Sequence, residues 1–405
     1  MKILLVLLGA CAMTPSSGDD GGGDPSGSDG GFGSDVADAG DVTPGGGSVA
    51  ATGWQKLALV DDGNIQHADN DLVSGIVMTS ATKGFIVTRG SHSSFLDGGA
   101  VFAVDGAKVT VAFSGKNGGP STASVVDFTG IARTPSGYVA MAYANDVVRG
   151  DAAGHFEIVK NGNLAGIEPV IGYSETATRT LLVRSTGVVS VADVASGPNA
   201  SFHDIWAPSA TNKVPAAIPA DQCQGGPIGI GSPVLSSSVF IGNGLVAYTS
   251  SPHFDPQVCI STDDGASFYP RRFVTDDDAA QHPPSGVAFS SPTNGIAYWG
   301  NTTSAPYLKH TSDGGKTWHG IGVPVDVATH GCDLSGAFFA PDGKTGFVVG
   351  FDHDTAKSLV LATTDGGASY LSVTGLGDVP LYSGFALDAT HVWIGGDDGA
   401  VFYKQ

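Results

Sequence analysis

Histidine and aspartate recur together in the polar segments between the apolar runs of this sequence. Carboxylate oxygens and imidazole nitrogens can hold Ca²⁺ or transition metals, and they can also bind polar ligands. Two interpretations stay open: a site for a divalent cation or polar ligand, or ordinary solvated loop residues. The candidate set is His67, Asp69, His253, Asp255, His282, His330, Asp333, Asp352 and His353.

Short apolar runs that open with a small residue would position these polar segments. Three examples are the runs 74–78, 285–289 and 335–339, and each run is followed by a turn and a second apolar run. Seven such openings, roughly 40 to 60 residues apart, lie between 54 and 405. A repeat of this length predicts an array of similar small sheets.

One eight-residue motif occurs three times, with its Asp residues 50 and 52 positions apart. The pattern is [Ser/Thr]-x-Asp-x-Gly-x-[Ser/Thr]-aromatic. The carboxylate can accept hydrogen bonds from the turn, the Gly permits a backbone conformation closed to other residues, and the aromatic residue starts the next strand. The motif predicts tight turns at Asp263, Gly265 and Phe268, at Asp313, Gly315 and Trp318, and at Asp365, Gly367 and Tyr370, with a degenerate copy at 151–156.

This motif resembles the Asp box, or BNR repeat, of sialidases, sortilin-type receptors, some glucan hydrolases and the photosystem II assembly factor family. In those proteins it lies between the third and fourth strands of a propeller blade. The resemblance implies an all-β fold: one β-propeller of seven four-stranded blades over 51–405. It also implies that the Asp boxes lie on one face. The loops that join the second strand to the third, and one blade to the next, then form the opposite face with the His and Asp set.

The ends of the repeat region predict how the ring closes. The last copy stops at 405 with a third strand and no fourth, whereas 54–59 precedes the first opening and resembles the strand after an Asp box. We predict that this N-terminal strand completes the last blade, so that no blade edge is left open.

The N-terminus is typical of an exported protein. Residues 1–10 have one Lys and an apolar run, which predicts a signal peptide. Residues 8–11 resemble the bacterial lipobox, which implies lipidation of Cys11, and Ala12 after it implies the outer membrane of a Gram-negative bacterium. The Gly-, Asp- and Ser-rich segment 11–50 is predicted to be a disordered tether.

Three further cysteines leave the disulfide pairing open. An exported chain permits a disulfide, and Cys223–Cys259 is the preferred pair because both residues would lie toward the same propeller face. The alternative is Cys223–Cys332. The sequence has no Cys-x-x-Cys motif, so a structural zinc site is not indicated.

The net charge of the chain limits which kinds of molecule it can bind. The chain has 39 acidic and 19 basic residues, a net charge of −20. This argues against direct binding to nucleic acid or to an anionic membrane surface. The partner class that is left is a protein or a glycan, and contact with a membrane would be through the lipid anchor only. We predict a monomer that requires no cofactor. If the acidic loops bind an ion, Ca²⁺ is the one that suits them.

The Asp-box resemblance spans enzymes and binding proteins. A sialidase would need a Tyr nucleophile with an acidic partner, an Asp, and three Arg that hold the substrate carboxylate. Here Tyr173 and Glu175 are the one close Tyr–Glu pair, and no Arg follows Arg272. We predict a non-catalytic binding or scaffold module; the alternative is a sialidase-like glycoside hydrolase, or a lyase, that uses Asp residues of the loop face.

Overall fold

The computed structural model describes residues 47–59, 71–90, 98–115, 128–135, 137–142, 147–159, 170–175, 179–184, 188–193, 203–206, 239–242, 245–250, 257–263, 267–272, 284–301 and 304–405. The chain divides into two units, 1–43 and 44–405, and all of these residues belong to the second. Within these ranges no helix has the length and apolar character needed to cross a membrane.

Every regular element of the described chain is a β-strand. Two strands precede the blades: β1 (Ser48–Ala50) and β2 (Trp54–Leu57). Blades 1 to 4 contain β3 (Leu72–Met78), β4 (Lys83–Arg89), β5 (Ala100–Asp105) and β6 (Lys108–Ser114); β7 (Phe128–Thr134), β8 (Gly137–Ala142), β9 (Val147–Gly150) and β10 (Phe156–Val159); β11 (Val170–Glu175), β12 (Arg179–Arg184), β13 (Val189–Asp193) and β14 (His203–Trp206); and β15 (Val239–Gly242), β16 (Leu245–Ser250), β17 (Gln257–Ser261) and β18 (Tyr269–Arg272).

Blades 5 to 7 follow the same pattern up to the last strand. They contain β19 (Gly286–Phe289), β20 (Gly295–Asn301), β21 (Ser304–Thr311) and β22 (His319–Ile321); β23 (Cys332–Phe339), β24 (Gly346–Asp352), β25 (Lys357–Thr363) and β26 (Leu371–Thr374); and β27 (Leu381–Ala386), β28 (Val392–Gly396) and β29 (Val401–Lys404).

The sheets form a closed ring of seven four-stranded blades, as the sequence predicted. Within each blade the strands pair antiparallel in chain order, except that the fourth strand of blade 7 is β2. The first strand of each blade contacts the first strand of the next, and β27 of blade 7 contacts β3 of blade 1. The first strands therefore surround the axis, and the apolar cores lie between neighbouring blades.

Strand β2 closes the ring, which confirms the predicted closure. It pairs antiparallel with β29, from Trp54 opposite Lys404 to Leu57 opposite Val401. Leu57 is buried in the core between blades 7 and 1, together with Val401 and Val73. Apolar burial therefore stabilises this closure in addition to the ladder hydrogen bonds.

Strand β1 was not foreseen from the sequence. Its residues Ser48–Ala50 fall at the end of the segment predicted to be a tether, yet they pair parallel with β26 of blade 6. Blade 6 thus carries a fifth, outermost strand. The apolar pattern did not indicate β1 because all three of its residues are exposed.

The small residues that open the inner strands have a steric cause. A Cβ at Gly75 of blade 1 would lie 2.9 Å from the Ile131 nitrogen and 3.0 Å from the Gly130 Cα of blade 2. A β-bulge at this level occurs in five of the described first strands, β3, β7, β11, β23 and β27. Neighbouring backbones therefore come too close at the axis for a side chain.

Candidate functional site

The repeated Asp turns are self-contained hydrogen-bonded units between third and fourth strands. In blade 5, Asp313 Oδ1 accepts from the Thr311 hydroxyl (2.9 Å) and the Thr317 N–H (2.9 Å), and Oδ2 accepts from the Thr317 hydroxyl (2.7 Å). Gly315, at φ 81°, donates its N–H to the Thr311 hydroxyl at 2.8 Å. Each residue type that the motif specifies thus has a partner within the turn.

The turns of blades 6 and 4 repeat this arrangement. Asp365 accepts from the hydroxyl of Thr363 at 2.7 Å and from the N–H of Ser369 at 3.0 Å. Asp263 accepts from the hydroxyls of Ser261 at 2.7 Å and Ser267 at 2.6 Å. Gly265, also part of the motif, lies outside the described residues.

The degenerate copy in blade 2 forms a similar turn with a different donor. Asp151 Oδ1 accepts from the N–H of His155 at 3.0 Å, and its Oδ2 lies 2.9 Å from His155 Nδ1. His155 thus stands where the other turns have Ser or Thr, and Phe156 follows it as the aromatic residue. The turn can form without a hydroxyl at this position because the imidazole N–H of His155 donates the second hydrogen bond to Asp151.

Contacts between neighbouring turns place these Asp turns on the same face as the hairpins between first and second strands. Gly314 donates its N–H to the Thr293 carbonyl at 2.8 Å, and Gly366 donates to the Lys344 carbonyl at 2.8 Å. The Asn294 side chain of blade 5 reaches blade 6 and donates to the Gly366 carbonyl at 2.8 Å. This Asp-turn face is therefore a set of interlocked turns.

The loop face is the opposite face, and on it blade 6 brings together four of the predicted site residues. His330 Nδ1 lies 2.7 Å from Asp352 Oδ2, and His353 Nε2 lies 2.8 Å from Asp333 Oδ2. His330 precedes β23 and Asp333 lies within it, while Asp352 ends β24 and His353 follows. Each pair joins the segment that enters the blade to the hairpin between the second and third strands. The two pairs cross, because the earlier residue of one segment contacts the earlier residue of the other although the strands run antiparallel.

Backbone hydrogen bonds hold the same two segments together. Gly331 donates its N–H to Asp354 Oδ2 at 3.2 Å, and His353 donates its N–H to the Gly331 carbonyl at 2.8 Å. The N–H groups of Asp354 and Thr355 donate to Asp352 Oδ1 at 3.0 and 3.1 Å. The His–Asp pairs therefore stand on a fixed loop framework.

Asp352 is held in its ionised form. Burial raises its pKa, but the hydrogen bonds from His330 and from Thr355 outweigh burial, and the pKa falls below the ordinary 3.8. The side chain is a hydrogen-bond acceptor at neutral pH.

The polar surface continues onto blade 7 through two residues that no sequence motif indicated, Tyr382 and Asp397. The Tyr382 hydroxyl lies 3.4 Å from Asp397 Oδ2. Burial raises the pKa of Tyr382 above its usual value, and the charges of Asp397 and of Asp333 raise it further. Asp397 lies in the loop between the second and third strands of blade 7, and that loop position was the signal that could have identified it.

The described cysteines settle part of the disulfide prediction. Cys332 is buried and free, so the alternative pair Cys223–Cys332 is wrong. Burial, followed by the charge of Asp352, raises the pKa of the Cys332 thiol to about 12. Cys259 is disulfide-bonded; Cys223 lies outside the described residues, so the pair Cys223–Cys259 stays a prediction.

Several predicted positions lie outside the described residues: His67, Asp69, His253, Asp255, His282 and the lipidation site Cys11. Across the described ranges, no group of three or more His, Cys, Asp or Glu side chains is arranged to hold a metal ion. The Ca²⁺ interpretation therefore gains no site from the described part of the chain.

Tyr173, which a sialidase mechanism would need as nucleophile, is a core residue. Its side chain is buried among Val139, Met141 and Leu182, at the boundary of blades 2 and 3. Its hydroxyl accepts a hydrogen bond from Arg149 Nη2 at 2.9 Å. These contacts give Tyr173 a packing role between blades.

The fold and these two faces define the protein as a seven-bladed β-propeller. No protein-family model matches the sequence, and no curated protein matches it. Among solved structures, YCF48 from Cyanidioschyzon merolae matches with a TM-score of 0.62 and 12% identity, over 87% of this chain and 99% of that one. YCF48 bound to a D1 peptide matches with a TM-score of 0.61 and 9% identity, over 88% of this chain and 98% of that one. At these identities the likeness shows the fold alone.

Proposed function

We propose that this protein is an exported lipoprotein whose propeller is a non-catalytic binding module, with a protein partner docking on the loop face of blades 6 and 7. The observation that carries the proposal is the crossed pairing of His330 with Asp352 and of His353 with Asp333. Two fixed polar pairs on a rigid framework present a preorganised surface of hydrogen-bonding groups. The similar YCF48 propeller binds a D1 peptide, which supports a protein rather than a saccharide as the ligand.

The Asp turns are, in this proposal, Asp boxes with a structural role. Their carboxylates already accept the donors of their own turns, as at Asp313 and Asp365. Such a turn stabilises its blade and leaves the opposite face for binding.

The lowered pKa of Asp352 argues against one role for it in the alternative, a glycoside hydrolase, namely that of the catalytic acid. A catalytic acid of that class needs a raised pKa so that it carries a proton at neutral pH. The pKa of Asp352 is shifted in the other direction. A panel of aryl glycosides tests the alternative: turnover that is lost in Asp333→Ala or Asp352→Ala would replace the binding proposal with hydrolysis.

Site-specific photo-cross-linking in cells of the source organism tests the binding proposal. A photoreactive residue replaces exposed Thr355 or Lys357 on the loop face, or exposed Lys316 or Lys344 on the Asp-turn face. We expect one discrete protein adduct from the loop-face probes and none of that mass from the Asp-turn probes. An adduct from the Asp-turn probes alone would overturn the assignment of the face.

The membrane anchor is a separate part of the proposal and has its own test. Cys11→Ala removes the thiol that lipidation requires, so we expect the protein to move from the membrane fraction to the soluble fraction. If the variant stays in the membrane fraction, the anchor assignment is wrong, while the cross-linking result on the loop face still stands.

A further inference from the structure

The segment between the predicted tether and blade 1 is attached to two blades in two different ways. Strand β1 pairs parallel with β26 of blade 6, and strand β2 pairs antiparallel with β29 of blade 7. The three residues between them include Gly53 at φ 81°, a conformation that favours glycine. One short stretch of chain thus spans the boundary between blades 6 and 7.

Strand β1 is held by backbone hydrogen bonds with little burial. The Ser372 N–H donates to the Gly47 carbonyl at 3.3 Å, and the Ala51 N–H donates to the Thr374 carbonyl at 2.8 Å. All three residues of β1 are exposed, and Val49 keeps 43% of its surface accessible. Exposed ladder bonds exchange readily with bonds to water, so each stabilises the strand only weakly.

Strand β2 is held by its side chains as well. Leu57 is 7% exposed and belongs to the core between blades 7 and 1. The Trp54 ring packs edge-on against Phe347 of blade 6, with ring centroids 6.3 Å apart. Detaching β2 would expose this apolar surface and open the ring, whereas detaching β1 would expose only the covered parts of Val49 and of the partly buried Ala51.

We propose that residues 47–53 form a releasable strap, in which β1 detaches from blade 6 while β2 keeps the ring closed. When docked, β1 fixes the exit of the preceding chain beside Ser372, close to the Asp turn of blade 6. When released, the seven residues 47–53 add an extended length of about 24 Å to that chain.

This release matters for a tethered protein, and that consequence rests on the proposed anchor. A released strap would let the propeller move farther from the membrane and rotate. The release itself depends only on the described contacts, so it can be tested on protein without a lipid.

Hydrogen–deuterium exchange on the full chain tests the strap. We expect the β1 amides that bond to β26 and the Ala51 amide to exchange at least about 100-fold faster than the β2 amides that bond to β29, because local opening of β1 exposes little apolar surface. Equal exchange rates in the two segments would mean that they open as one unit, and the proposal would fail.

A matched pair of variants gives a second readout. Ser48→Pro/Val49→Pro and Gln55→Pro/Lys56→Pro each replace two consecutive exposed strand residues and each remove ladder N–H groups. We expect the first variant to shift the melting temperature by less than about 2 °C and the second to lower it by more than about 6 °C. Equal decreases of the melting temperature in both variants would overturn the proposal. A change in loop-face cross-linking without such a change in melting temperature would bear on the proposed function and not on the strap.

Discussion

The Asp turn and the loop face of blade 6 use the same residue type in opposite ways. On the Asp-turn face, Asp365 accepts its hydrogen bonds from Thr363 and Ser369, which lie within four residues of it. On the loop face, Asp352 is paired with His330, 22 residues away. The first carboxylate builds its own turn, whereas the second joins two segments that the fold must bring together.

This difference concerns which of the two arrangements can recur from blade to blade. A turn that supplies its own donors can recur in any blade, and the described structure shows it in blades 2, 4, 5 and 6. A crossed pair requires matching residues in two loops. The loop face can therefore differ from blade to blade, which suits a surface that recognises one partner.

The largest expected effect comes from removing the carboxylate of an Asp turn. Asp365→Ala leaves the Thr363 hydroxyl and the N–H and hydroxyl of Ser369 without their acceptor, so we expect a loss of about 2–4 kcal/mol in the free energy of unfolding. Denaturant titration measures it, with Asp378→Ala, an exposed acidic residue, as the control. A loss of less than about 1 kcal/mol would contradict the structural role.

A smaller effect is expected for the crossed pairs of the loop face. A double-mutant cycle with His330→Ala and Asp352→Ala should give a coupling energy of about 1–2 kcal/mol, because Asp352 is buried. The cycle with His353→Ala and Asp333→Ala should give less, since the side chain of Asp333 is 26% exposed against 7% for Asp352. The reverse order would show that burial does not set the strength of these pairs.

Acid unfolding tests the stabilisation that the Asp turn of blade 5 gives to the fold. Burial raises the pKa of Asp313, but the hydrogen bonds from Thr317 and Thr311 outweigh it and bring the pKa from 3.8 to about 2. A lowered pKa means that the ionised form stabilises the fold above pH 3.8, and that this stabilisation is lost as the pH falls from about 4 to about 2. Asp313→Asn should therefore flatten the dependence of unfolding on pH within this window, as thermal melts would show; an unchanged slope would contradict the pKa shift.

The smallest effect is expected in the degenerate turn of blade 2. His155→Ser restores the residue that the repeated motif has at this position, and its hydroxyl can replace the imidazole as donor to Asp151. We expect the free energy of unfolding, measured by denaturant titration, to stay unchanged within error, because both side chains are exposed. A large loss would show that the imidazole does more than satisfy the carboxylate.

The sequence predicted the features that arise from local geometry. The turn at Asp313 depends on residues within one octapeptide, and the seven openings depend on the alternation along single strands. The closure by Trp54 and its neighbours was predictable because the last blade lacked a strand. A repeated motif, and a last repeat that lacks one strand, can both be recognised in a linear sequence.

The sequence could not predict features that depend on exact distances between segments. The pairing of His330 with Asp352 requires the register of β23 against β24, which fixes Cys332 opposite Asp352. Strand β1 has no buried residue and hence no apolar pattern to detect. The contact between Tyr382 and Asp397 likewise depends on the bulge in β27, between Leu381 and Ser383.

The most direct test of binding at the loop face is the yield of the protein adduct from a photoreactive residue at position 355, measured in two variant backgrounds. We expect Asp333→Ala/Asp352→Ala to reduce the yield at least about tenfold, which corresponds to about 1.4 kcal/mol. Asp313→Ala, on the Asp-turn face, should leave the yield unchanged at a temperature where both variants remain folded. If Asp313→Ala abolishes the adduct and the loop-face variant retains it, the partner does not bind where this account places it.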